Sequence, residues 1–123
     1  MSITSQVKKW QSGPSVPDDT ERRQVMSEIE IARIAKALSH PVRVRLLLQL
    51  CASGLSQAKE LVTIFDLAQS TVSEHLRILR EAGLVAVKRE GTRKLYYARA
   101  TVLIAFANQI DRLVRTVQLP EGI

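Results

Sequence analysis

Cysteine occurs once and histidine twice among the 123 residues. A lone thiol excludes an internal disulfide, and His40, Cys51 and His75 are too few and too scattered to make a metal centre within one subunit. Uninterrupted apolar stretches are far shorter than the roughly 20 residues a membrane helix needs, so no membrane span is expected. The opening MSITSQVKKWQSGP lacks the apolar segment of a secretory signal, which leaves the cytoplasm as the expected compartment. Also missing are a glycine-rich phosphate loop, paired carboxylates beside a histidine, and a nucleophile with a plausible base. The chain is therefore not expected to be an enzyme or to carry a cofactor.

What is present is an ordinary globular composition, 46% hydrophobic and 24% charged, on a length that admits one core. Eighteen Lys and Arg against twelve Asp and Glu leave a formal charge of +6. The surplus is confined to the middle of the chain. Between Lys88 and Arg99 five bases (Lys88, Arg89, Arg93, Lys94, Arg99) face one acid, Glu90. A patch of that density calls for a polyanionic partner.

Residues 1–17 are polar, contain Gly13, Pro14 and Pro17, and read as a flexible tail; 18–118 read as the folded domain and 119–123 as a short C-terminal tail. Asp18 with Glu21 has the form of a capping box opening a first helix, with Val25, Ile29, Ile34, Ala35 and Leu38 on its apolar stripe. Pro41 suits the first turn of a second helix capped by Ser39 or His40, whose stripe is Val42, Leu46, Leu47 and Leu50 and whose close is Ala52-Ser53-Gly54. Ser56 can cap a third helix through Leu61, Ile64 and Phe65 to about Asp66.

The stretch QSTVSEHLRILREA predicts a fourth helix with Val72, Leu76 and Leu79 inward and Gly83 at its end. Only about two residues separate it from the third helix, which forces the steep packing of a helix-turn-helix. Leu84, Val85 and Val87, then Glu90-Gly91-Thr92, then Leu95, Tyr96 and Tyr97 predict a β-hairpin with a basic tip. A final helix from about Thr101 carries Leu103, Phe106, Ile110, Leu113 and Val117 at heptad spacing. The expected fold class is mostly α with a small β-hairpin: a winged helix-turn-helix with extra N- and C-terminal dimerisation helices.

An α-helix fits the major groove of B-form DNA, where each base pair shows its own donors and acceptors. With Val72, Leu76 and Leu79 inward, Gln69, Ser70, Ser73, Glu74 and Arg77 face outward, where they can reach base edges or phosphates. Gln69 can pair bidentately with adenine, the two serines can donate or accept, and Thr71 near the helix start can meet a phosphate. Glu74 can accept from cytosine N4, yet near phosphates it needs a base or a neighbouring arginine. A polar exposed helix face needs no function in itself. Three hydroxyls at the helix start and the basic hairpin that follows favour double-stranded DNA as the partner, with Lys88, Arg89, Thr92, Arg93 and Lys94 of the wing on the backbone.

KALSHPVRVRLLLQL and KELVTIFDLAQSTVSEHLRILREAGLVAVKREGTRKLYY resemble the ArsR/SmtB family of bacterial winged-helix repressors, over about residues 28 to 117. The resemblance implies a homodimer built from the first and last helices, an inverted-repeat operator, and release by an inducer. It places the DNA-reading residues at Gln69, Ser70, Ser73 and Glu74 and the wing at Glu90, Gly91 and Thr92. Two departures are Ala68, where a serine cap is usual, and Asp66, where glycine is common. The metal sites of many relatives, a Cys-x-Cys before the recognition helix or Asp and His pairs on the last helix, have no counterpart in ELVTIFDLA or around Asp111, so no metal is expected and the inducer is unassigned. Ile29, Leu103, Phe106, Ile110, Leu113 and Val117 are the candidate dimer contacts, although the last helix could instead cover its own core.

Cys51, beside Leu47 and Leu50, reads as a small buried core residue, with a redox-responsive repressor as the alternative. His75 reads as a partly buried structural residue or else a base reader. The alternative to DNA readout is a winged helix that contacts only other proteins, distinguished by the salt dependence of binding.

Overall fold

The computed structural model describes residues 26–122, which order as α1 (Glu28–Ala37), α2 (Pro41–Ser53), α3 (Ala58–Phe65), α4 (Gln69–Glu81), β1 (Val85–Glu90), β2 (Arg93–Ala98) and α5 (Ala100–Thr116). The Asp18–Glu21 cap, Val25 and the expected tail at 1–17 lie outside the described residues. Instead α1 opens at Ser27, whose Oγ accepts from the Glu30 backbone N–H at 3.1 Å. Ser27 with Glu30 has the same three-residue spacing as Asp18 with Glu21, ahead of the turns that reach the core. Ile34 and Ala37 are the buried residues of α1; Ala35 faces solvent.

Pro41 occupies the first turn of α2, and His40 caps it by accepting the Val42 N–H on Nδ1 at 3.1 Å. Leu46, Leu47 and Leu50 bury the inner edge. Cys51 is exposed, which corrects the core reading. It lies a further helical step, about 100°, beyond Leu50, toward the side of the helix that carries the exposed Val44 and Leu48.

Ser56 does not cap α3. It is 2% exposed and pairs with Tyr96 in an isolated antiparallel bridge: Ser56 N–H donates to Tyr96 O at 3.0 Å and Tyr96 N–H to Ser56 O at 2.8 Å. A serine buried beside a strand satisfies its backbone through that strand, and its hydroxyl through Ser53 at 2.8 Å between oxygens. Gln57 is the residue that opens α3. Of the expected apolar positions in this short helix, Leu61 is fully buried, Phe65 packs against the core and Ile64 faces out.

Asp66 turns the chain into α4 with φ 51 and ψ 47, the one non-glycine with positive φ among the described residues. Aspartate visits the left-handed region at less cost than most residues. Val72, Leu76 and Leu79 of α4 are buried against the α2 and α3 leucines. Gly83, at φ 83, ends the helix: its N–H donates to Arg80 O at 2.9 Å and Leu84 N–H donates to Leu79 O at 3.0 Å. This is a Schellman closure, with Leu79 and Leu84 buried on either side of it.

The hairpin pairs Val85 with Ala98 through to Glu90 with Arg93 around the two-residue turn Gly91-Thr92, with Gly91 at φ 61. Glycine is the residue a primed two-residue turn favours at that position. Helix α5 has no fully buried residue. Its seam divides: Leu103 and Phe106, with Val102, pack on the core, whereas Ile110, Leu113 and Val114 are exposed. Val117 lies just past the helix, as its C-cap in extended conformation.

Because Asp66 holds a left-handed conformation, Asp66→Gly is expected to keep or raise stability, while a β-branched Asp66→Val loses about 1–2 kcal/mol. Urea denaturation followed by circular dichroism reads both; equal midpoints for the two variants contradict the assignment.

Candidate nucleic-acid interface

The buried edge of α4 decides what its other side presents. Gln69, Ser70, Thr71, Ser73, Glu74 and Arg77 are all exposed. Ala68 supplies no side-chain cap, so the first amides of α4 have no side-chain partner from that position. Arg77 Nε donates to Glu74 Oε2 at 3.0 Å, and Arg77 Nη1 donates to Glu81 Oε1 at 2.6 Å. Glu74 thus has the neighbouring arginine its position requires. The hydrogen bond from Arg77, and then its charge, hold the Glu74 carboxyl below the ordinary glutamate value. The two carboxylates in turn raise the Arg77 pKa.

The hairpin reaches the same side of the molecule. Gln57, Ala58 and Lys59 at the start of α3, Gln69 and Ser73 on α4, and Thr92, Arg93, Lys94 and Tyr96 on the hairpin line one open cleft. The Ser56–Tyr96 bridge fixes the hairpin against the α2–α3 connection, so the wing is positioned by backbone hydrogen bonds. With the Gln57 amide oxygen turned toward it, Arg93 donates from Nε at 2.7 Å and from Nη2 at 3.3 Å. The Lys94 ammonium lies 5.4 Å from the centre of the Tyr96 ring, within cation–π range. Lys88, Arg89 and Thr92 are exposed.

Of the sequence candidates, Gln69, Ser73, Thr92, Arg93 and Lys94 come together in the cleft. Ser70, Thr71 and Glu74 lie on the exposed face of α4 outside its lining, and Arg77 is engaged by its two glutamates. Gln57 and Lys59 were not among the candidates. The only signal for them was a polar residue and a base at the start of the helix preceding the recognition helix, a pattern many solvated helices share.

His75 is half-buried, as expected, and its Nδ1 is buried with no hydrogen-bond partner among the described residues. Although Cys51 is exposed, partial desolvation by its neighbours pushes its thiol pKa upward, away from the thiolate that redox reactivity needs.

A recognition helix held out by a buried edge, preceded by a short helix across a tight turn and flanked by a basic hairpin, defines a winged helix-turn-helix protein. The sequence profile of bacterial regulatory proteins of the arsR family matches residues 40–87, from the cap of α2 into β1. The HTH-type transcriptional regulator YgaV of Escherichia coli is 38% identical over 78 residues, covering 63% of this chain and 79% of that one. The HTH-type transcriptional regulator CmtR of Mycobacterium bovis is 38% identical over 92 residues, 75% of each chain. Among solved structures, an ArsR-like transcriptional regulator from Rhodococcus sp. RHA1 matches with a TM-score of 0.66 at 26% identity, covering 71% of this chain and 81% of that one. The homodimeric winged helix-turn-helix DNA-binding domain of a possible ArsR-family regulator from Mycobacterium bovis matches with a TM-score of 0.57 at 25% identity, covering 91% and 98%. The chain belongs to the ArsR family of bacterial regulatory proteins.

The Arg77 clamp has a direct spectroscopic consequence. The Glu74 side-chain carboxyl is expected to titrate at lower pH than an unperturbed glutamate in carbon-detected NMR, and Arg77→Gln is expected to move it back up. An unchanged Glu74 titration in that variant removes the clamp as the cause.

Proposed function

We propose that this protein is a homodimeric transcriptional repressor of the cytoplasm that binds an inverted-repeat operator. Helix α4 enters the major groove, the hairpin lies on the phosphate backbone, and an inducer other than a metal at the family's usual Cys or His sites releases it. The observation that carries this reading is the shared cleft, in which Gln69 and Ser73 of α4 face Arg93 and Lys94 of the hairpin. Base-reading amide and hydroxyl groups sit at its helical wall and backbone-gripping cations at its other wall. Gln69 and Ser73 read base edges, joined by Ser70 and Glu74. Thr71 and the wing residues Lys88, Arg89, Thr92, Arg93 and Lys94 meet phosphates, and Arg77 sets the position of Glu74.

Support for the dimer comes from α5. Ile110 at 40%, Leu113 at 59% and Val114 at 65% exposure leave an apolar surface on its second half, and Ile29 of α1 is 72% exposed. Helices α1 and α5 touch each other, so these side chains can form one self-complementary patch around a two-fold axis. Two α4 helices related by that axis read half-sites about one turn, roughly 10 base pairs, apart.

Binding to a duplex from the region upstream of the protein's own coding sequence, and to random DNA, measured by fluorescence anisotropy over a salt series, tests the DNA reading. Arg93→Ala and Lys94→Ala are each expected to weaken both duplexes alike and to reduce the salt slope of the dimer by about 1.8, one phosphate contact being lost from each subunit. Gln69→Ala is expected to lose about 1–3 kcal/mol of discrimination at one position per half-site. Unaltered salt slopes in the hairpin variants take the wing out of the interface.

For the dimer, Leu113→Glu is expected to sediment as a folded monomer where the wild type sediments as a dimer. A wild type that is monomeric at micromolar concentration contradicts the two-fold arrangement.

A further inference from the structure

The chain has two histidines, and they meet. His40, the cap of α2, and His75, in the middle of α4, have ring centroids 4.7 Å apart at an interplanar angle of 49°. His40 Nδ1 accepts the Val42 N–H, so that nitrogen carries no proton and the neutral ring holds its hydrogen on Nε2. His75 Nδ1 is buried with no hydrogen-bond partner among the described residues. The contact joins the N-terminus of one core helix to the recognition helix.

We propose that the His40–His75 contact is a proton-operated lock on α4: with His75 neutral it holds the recognition helix against the start of α2, and protonation of His75 in mildly acidic solution releases it.

His40 Nδ1 is committed to capping α2, so the His40 ring is held in place against His75 by the first turn of that helix. A proton on His75 puts a charge into a poorly solvated position. The groups that act on His75 from α2 are His40 and Arg43, both of which oppose a proton; from its own helix Glu74 favours one, but ranks below them and below burial. Arg43 is fixed in place, its Nε donating to Ala37 O at 2.6 Å at the end of α1. Burial first, then these two neighbours, lowers the His75 pKa from its ordinary value. The folded protein therefore binds fewer protons at this site than the unfolded chain. The stability supplied by the neutral ring is complete above the ordinary histidine value of about 6.5 and is lost as the pH falls below it. Loosening α4 affects readout only if α4 is the DNA-reading element, so that consequence rests on the function proposed above; the stability change does not.

The test compares the full chain with His40→Asn, which keeps a capping side chain without a titrating ring, with His75→Leu, and with the double variant, which has no histidine. Urea denaturation from pH 8 to 5.5 is expected to show the wild-type folding constant falling below pH 6.5, by up to about tenfold per pH unit for each proton taken up. The double variant supplies the carboxylate background and is expected to be flatter, with His75→Leu matching it and His40→Asn, which removes one of the groups opposing a proton on His75, lying between it and wild type. Parallel slopes in wild type and double variant overturn the lock. Should the His75 variants not fold, NMR titration of the wild-type imidazoles decides: His75 titrating below the ordinary range supports the proposal, and at or above it overturns it. In anisotropy at constant ionic strength, wild-type affinity for the upstream duplex is expected to fall several-fold between pH 7.5 and 6. This is opposite in sign to what added positive charge does near phosphates, and a rise overturns the coupling to readout. No binding at pH 7.5 overturns the proposed DNA function instead, and the urea series still decides whether the lock exists.

Discussion

Everything the recognition helix presents depends on one buried edge. Val72, Leu76 and Leu79 are removed from solvent against Leu46, Leu50 and Leu61, and each such side chain contributes about 1.5–3 kcal/mol. Rotating α4 to turn its hydroxyls inward would expose all three at once, so its orientation is set without help from the exposed face. The two ends of the helix are unequal. The C-terminal end has the Gly83 closure with Leu79 and Leu84 buried around it, whereas the N-terminal end follows a left-handed aspartate and an alanine that offers no cap. Forgoing the cap costs about 1 kcal/mol. It also leaves the first amides of α4 available to an acceptor from outside the chain, which suits the proposed phosphate contact near Thr71.

The hairpin is held by a different kind of interaction. Ser56 and Tyr96 exchange two backbone hydrogen bonds, giving the hairpin a third, one-residue strand that belongs to the α2–α3 connection. The wing and the helix-turn-helix therefore share a rigid junction, and Arg93 is drawn toward Gln57 next to it. Register also places Arg89 directly opposite Lys94. Like charges opposite each other destabilise a hairpin, and Lys94 finds partial compensation on Tyr96. A local arrangement that disfavours folding while concentrating cations beside α4 makes physical sense when a polyanion supplies the missing counter-charge.

Elements with strong periodicity and punctuation were legible in the sequence: the Pro41 start of α2, the Val72-Leu76-Leu79 edge, the Gly83 stop and the Gly91 turn each follow from one local rule. Legibility failed where tertiary context outranked local pattern. Ser56 has the look of a helix cap, but a strand distant in sequence claims its backbone. Cys51 is a small apolar residue next to two buried leucines, yet the core ends one helical step short of it. The heptad spacing of α5 is real, but spacing cannot say that Leu103 and Phe106 cover the core while Leu113 faces outward. Gln57 and Lys59 entered the candidate site only because the fold brings the start of α3 to the hairpin.

The charge arrangement around α4 bears on specificity as well as affinity. Arg77 lies between Glu74 and Glu81, so this trio on the exposed face carries a net charge of −1 while Lys59, Arg93 and Lys94 line the cleft nearby. A uniformly basic face would bind any duplex through its phosphates. On the proposed reading, an acidic group held rigidly at the groove by Arg77 is repelled by phosphate unless a donor such as cytosine N4 meets it. The penalty then falls on wrong sequences more than on the right one, as discrimination by unfavourable contact requires. The cations of the hairpin supply attraction without regard to sequence, and the guarded carboxylate of α4 restricts where that attraction can be used.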